Sequence, residues 1–165
     1  MRTVSSHTLA VLSSQAAALP RRRTNLNLHP TLADPIQRFF NAMEPGTYIR
    51  PHRHTEPARW EVFVALRGSA AVLTFEPDGR VSGRADIAPD GANVAVEVPG
   101  GVRHAVLCTA PGTVLFELKP GPYVPLEDKD FASWAPPEGG EDAAAFERWM
   151  RDARPGDAPA HRVGE

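Results

Sequence analysis

The stretch "GTYIRPHRHTEPARWEVFVALRG", residues 46–68, decides the fold and locates the chemistry. His52 and His54 stand one residue apart between two glycines, ahead of a hydrophobic run that opens with Glu61. On an extended chain, side chains two apart project from one face, so the two imidazoles can converge on a common point as metal ligands do. The same period of two also describes the wet face of an edge strand, and the pair alone leaves both readings open. Tyr48 and Arg50 share the parity of the two histidines and are expected to face the same space, with Arg53 pointing away.

Downstream, "WEVFVAL", "SAAVLTFE", "ANVAVEV", "VRHAVLC" and "TVLFELK" are short β-rich runs separated by the turn signals "EPDGR", "APDG", "PGG" and "APG". Short strands at such intervals, with no helices between them, predict an antiparallel sandwich or barrel over residues 46–120. Upstream, "RTNLNLH" (23–29) alternates as a half-buried strand, with Arg23, Asn25, Asn27 and His29 on one face. "ADPIQRFFNAME" reads as a helix: Asp34 is its N-cap, Pro35 its first residue, and Ile36, Phe39, Phe40 and Met43 form one apolar face. A first helix carries Leu9, Leu12 and Ala16, so residues 1–45 are expected to pack on the barrel. Residues 121–153 are expected to form an ordered proline-rich arm, held by Tyr123, Phe131 and Trp134, and a last helix with Phe146, Trp149 and Met150 on one face. Residues 154–165 read as a disordered tail with His161 as a bystander.

The bulk properties exclude several classes. A chain of 165 residues with 42% apolar composition can bury one sizeable core. Its 18 basic and 20 acidic residues, net −2, give no general field for a polyanion, so nucleic acid is not expected as a partner. The basic run Arg21–Arg23 reads as a solvated turn. A single cysteine, Cys108, excludes an internal disulfide. With no leader and no apolar run approaching ~18 residues, a cytoplasmic protein without membrane contact is expected. Internal repeats, a phosphate-cradling glycine loop and a nucleophile elbow are missing from the sequence.

A third histidine, His104, follows the turn "VPGG" on a strand with Val102, Val106 and Cys108 on its face. Gly46, five residues, His52, one residue, His54, then Glu61 six residues ahead of Gly68, and later Pro99, Gly101 and His104, together resemble the two motifs of the cupin superfamily. That resemblance implies a mainly β double-stranded β-helix barrel with short N-terminal helices and a C-terminal arm and helix. It also implies one divalent metal held by His52, His54, Glu61 and His104. Six residues separate His54 from Glu61, where the common pattern has three or four, and Glu56 is a rival ligand; Cys108 stands where the second motif usually has asparagine. Zn, Ni, Fe, Mn or Co would each suit three imidazoles and a carboxylate. Residues 20–138 further resemble the WbuC-type cupin metalloproteins, some encoded among genes for bacterial surface polysaccharide synthesis.

Around such a metal, Arg50 points either to an anionic small-molecule ligand or to a structural salt bridge with a barrel glutamate; Arg23, Asn25, Asn27 and His29 would read the ligand's hydroxyls or carboxylate if their strand covers the barrel mouth, and otherwise form a solvent face. His29 or Tyr48 would move the proton. The expected activity is isomerisation or epimerisation of a small oxygen-rich, anionic or sugar-type substrate. A non-catalytic metabolite-binding module and an Fe(II) dioxygenase are the alternatives, and a homodimer is left open.

Overall fold

"AAVLTF" shows how the sequence builds the structure. In strand order, Ala71, Leu73 and Phe75 point one way and Ala70 and Val72 the other, and both sets are buried. A strand apolar on both faces belongs between two layers, and that is where it lies. The computed structural model describes residues 1–55 and 57–159. Its elements are α1 (Ser6–Ala18), β1 (Arg23–Asn27), β2 (Ile36–Met43), β3 (Glu61–Arg67), β4 (Ala70–Phe75), β5 (Val81–Ile87), β6 (Ala95–Val98), β7 (Arg103–Cys108), β8 (Thr113–Pro120) and α2 (Ala143–Asp152), with a 3-10 turn at Asp128–Asp130. The strands form two antiparallel sheets, ordered β1-β2-β8-β3-β6 and β5-β4-β7.

Between the sheets lie Phe63, Val72, Ile87, Val98, Val106 and Leu115. The outer face of the larger sheet is covered by α1, whose Leu12 and Ala16 meet Phe40, Ala42 and Val114. Ser5 caps that helix, its side chain accepting the Thr8 N–H at 3.1 Å. The outer face of the smaller sheet is covered by the C-terminal arm and α2, through Trp134, Phe146 and Met150 on Leu73, Phe75 and Leu107. Gly68 turns β3 into β4 at φ +63°, where a methyl group would sit 2.8 Å from Thr113 Cα. Only glycine satisfies both demands.

Two expectations are corrected. Residues 36–43 are not a helix but a strand, β2, hydrogen-bonded to β1 on one side and β8 on the other. Gln37, Phe39 and Asn41 face inward while Phe40 and Ala42 lie under α1, so both faces are covered and each carries a phenylalanine, and the pattern imitates a helical period. Pro35, just ahead of it, is as compatible with a strand start as with a first helical turn. The tail begins in order: Gly156 N–H donates to Val81 O at 2.9 Å and Val81 N–H to Asp157 O at 2.8 Å, which seats residues 156–157 on β5. His161 lies outside the described residues, as do its neighbours in 160–165.

Candidate metal centre and its cavity

His52 is fixed by backbone pairing. Its N–H donates to His104 O at 3.0 Å and its carbonyl accepts the His104 N–H at 2.8 Å, while a bridge to Phe131 holds its other side. Directly opposed residues of an antiparallel pair share a face, so the two rings come together with centroids 4.7 Å apart. Glu61, the first residue of β3, is 2% exposed and reaches the same point. Ligand atoms of His52, His54 and Glu61 lie within 4.8 Å of one another. His104 completes the group through Glu61, its Nε2 2.6 Å from Oε2. The structure thus brings together all four residues that the resemblance nominates; Glu56 lies outside the described residues.

The proton positions follow from the partners. His52 Nδ1 is 3.0 Å from Arg50 O and His104 Nδ1 3.0 Å from Val102 O. A carbonyl oxygen only accepts, so each Nδ1 carries a hydrogen and each Nε2 is turned towards the cluster. This is the outer-shell pattern that orients metal-ligating histidines. It leaves His104 Nε2 and a carboxylate oxygen face to face at a distance that requires a shared cation, a proton or a metal ion. Burial pushes the His52 imidazole down to about 3, helped by His104 and opposed by Glu61. Burial would also lower His104, but the hydrogen bond and charge of Glu61 outweigh it and raise its pKa. For Glu61, burial alone would favour the neutral acid; the Lys119 ammonium and the two histidines reverse this and hold the carboxyl well below its usual range. An ionised carboxylate with the imidazoles of His52, His54 and His104 around it is a donor set that fits a divalent ion.

The cluster opens onto a cavity of about 560 Å³, which His52, Glu61 and His104 line on one side. Arg23, Asn25, Asn27 and His29, the polar face read on the first strand, line it too. His29 is 6% exposed; its Nδ1 lies 3.0 Å from the Arg38 backbone nitrogen, and its buried Nε2 has no hydrogen-bond partner among the described residues. Arg23 is held in place by Glu138 at 2.7 Å and by Tyr48 O at 3.0 Å. On its far side His54 faces a small cleft of about 80 Å³ beneath residues 124–130.

Tyr48 and Arg50 do not line this cavity. Tyr48 is buried in the outer core against Phe146, and its hydroxyl donates to Pro136 O at 2.8 Å. Arg50 donates to Ala132 O at 2.8 Å and lies over the Phe131 ring. The parity argument fails because the chain from residue 47 to 54 is not a continuous strand but a run of isolated bridges, so period two is not maintained back to Tyr48. Conversely, Gln37, Asn41, Glu117 and Lys119 line the cavity and were not anticipated. The signal for the last two was present: in "TVLFELK" they are charges two apart on an otherwise apolar strand.

Residues 4–87, about half of the chain, match a sequence family described as a domain of unknown function, DUF6016. No curated protein matches the sequence. Among solved structures, a cupin superfamily protein from Desulfitobacterium hafniense DCB-2 is similar with a TM-score of 0.51 and 14% identity, over 73% of this chain and 95% of that one. The protein TT1209 from Thermus thermophilus is similar with a TM-score of 0.52 and 19% identity, over 73% and 97%. At these identities the likeness is one of fold. No helix among the described residues is long and apolar enough to cross a membrane.

Proposed function

Starting from a chain that belongs to the DUF6016 family and has the cupin fold, we propose that it is a metal-dependent enzyme that isomerises or epimerises a small, oxygen-rich anionic or sugar-type molecule. One observation carries the reading: the cluster of His52, His54, Glu61 and His104 opens, through His52, Glu61 and His104, onto a cavity of about 560 Å³ whose other walls offer carboxamides, a guanidinium, an ammonium and the His29 ring. Those polar groups suit hydroxyl and carboxylate oxygens, while Phe39, Ile49, Phe63 and Val106 give the cavity an apolar side. One divalent ion, held by those four residues, would supply polarisation of a substrate carbonyl oxygen. The protein's part is orientation and proton transfer. Asn25 and Asn27, already joined at 2.5 Å, and Asn41 offer amide donors and acceptors along two neighbouring strands. His29, whose ring lines the cavity with Nδ1 held at the Arg38 backbone, is the side chain we assign to give or take a proton. The sequence likeness to WbuC-type cupins supports a substrate from surface polysaccharide synthesis.

The test has two stages. Protein purified without chelator should contain about one divalent metal per chain by elemental analysis. Metal-loaded protein is then incubated in D₂O with nucleotide sugars and sugar phosphates, and proton exchange beside the carbonyl is followed by NMR. His29→Gln should abolish exchange while keeping the metal. Metal-dependent binding with no exchange for any substrate supports a non-catalytic binding module, and oxygen consumption restricted to the Fe(II) form supports a dioxygenase. Either result overturns the isomerase reading.

A further inference from the structure

Lys119 stands where a metal would have to compete. β8 carries Glu117 and Lys119 on its cavity face, and Lys119 lies opposite Glu61, one step beyond the Val62–Leu118 pair of β3 and β8. Its Nζ donates to Glu61 Oε1 at 2.7 Å and to Glu117 Oε1 at 3.1 Å. Asn41 Nδ2 donates to the other oxygen of Glu117 at 3.3 Å. Glu61 Oε1 is also 3.1 Å from His54 Nε2, and Oε2 is taken by His104. Both in-plane directions at Oε1 are therefore in use, one of them by a positive charge.

We propose that Lys119 is the resident counter-cation of the metal centre, a positioning residue that holds the Glu61 carboxylate in place in the metal-free chain and yields Oε1 when a divalent ion enters. The inference rests on the metal-site reading above. A unit charge and a divalent ion cannot share one carboxylate oxygen in a buried pocket without strong repulsion, because little water screens them. The lysine stem is flexible, and Glu117 gives the ammonium a second acceptor that it already touches. Metal uptake then moves the ammonium onto Glu117 and towards the open cavity, where it can meet an anionic group of the ligand.

This arrangement gives two substitutions opposite signs. Removing the ammonium relieves the competition, so Lys119→Met should bind metal more tightly. Removing the charge of Glu117 leaves Lys119 with Glu61 as its only ionised partner of the two, so Glu117→Gln should bind metal more weakly. A pair that merely braced the sheet would weaken binding in both.

The experiment is calorimetric titration of Zn(II) into the full chain after chelator treatment, for the wild type, Lys119→Met and Glu117→Gln, with circular dichroism to check the fold. The expected result is a Kd lower by about tenfold or more in Lys119→Met and higher in Glu117→Gln. Should Lys119→Met fail to fold, Glu117→Gln decides by itself, since unchanged or tighter binding there overturns the proposal. Equal affinities in all three proteins overturn the role of Lys119 and leave the metal centre standing. A wild type that takes up no Zn(II) overturns both.

Discussion

Glu61→Gln, studied with chelator present, isolates what the carboxylate does for the fold. Glu61 is 2% exposed and accepts from Lys119 at 2.7 Å, His104 at 2.6 Å and His54 at 3.1 Å. The amide keeps one accepting oxygen, and its NH₂ must be set against the ammonium or against an imidazole N–H. Breaking a buried ion pair costs about 3–5 kcal/mol. Because Lys119 retains Glu117 at 3.1 Å, the lower end applies, about 3 kcal/mol. For a chain of this size about 2–4 °C of melting temperature corresponds to each kcal/mol, so the midpoint should fall by about 6–12 °C. Urea denaturation at pH 7 gives the free energy and thermal circular dichroism the midpoint, both in chelator. Adding Lys119→Met to Glu61→Gln should return part of the loss, since the uncompensated ammonium is then gone. A loss under about 1 kcal/mol for the single substitution would show that these contacts are not holding the sheets together, and the electrostatic account of the site would fall.

Four further outcomes are expected. Tyr48→Phe should cost about 1 kcal/mol in urea denaturation, through the lost bond to Pro136 O, and leave the metal content unchanged. Gly79→Ala should lower the melting midpoint by several degrees, because φ is +93° and the new methyl would lie 2.9 Å from Trp134 Cδ2. In chelator, the Glu61 carboxyl is depressed, so its stabilisation is complete above the ordinary value of 4.5 and is lost as pH falls below it; the wild type should lose unfolding free energy there more steeply than Glu61→Gln. His104, raised above 6.5, acts in the opposite sense, and its contribution fades as pH rises through its folded value, which NMR titration of its ring protons will read.

The centre was legible because its information is local: a period of two at His52 and His54, a strand opening at Glu61, and a turn before His104. Strands β1, β3, β4, β6, β7 and β8 were legible for the same reason, whereas β5, whose "VSGRADI" carries a glycine and two charges, was not. β2 was not, because burial on both faces erases alternation, and with it Gln37 and Asn41 were hidden from the cavity wall. Tyr48 and Arg50 were misplaced because parity carries information only along an unbroken strand. Glu117 and Lys119 depended on knowing which face of β8 the cavity occupies, and that is set by the pairing of β8 with β2 and β3 rather than by β8 itself.

The pairing of His52 with His104 on one side and Phe131 on the other has a temporal meaning. During synthesis the two histidines of residues 52 and 54 emerge early, yet their segment has no partner until β7 is made, and its second edge stays open until residue 131 follows. The order of the chain thus delays alignment of the histidine cluster until the arm is laid down, and a ribosome-bound intermediate ending just after β8 would carry His52, His54, Glu61 and His104 while lacking the brace at Phe131.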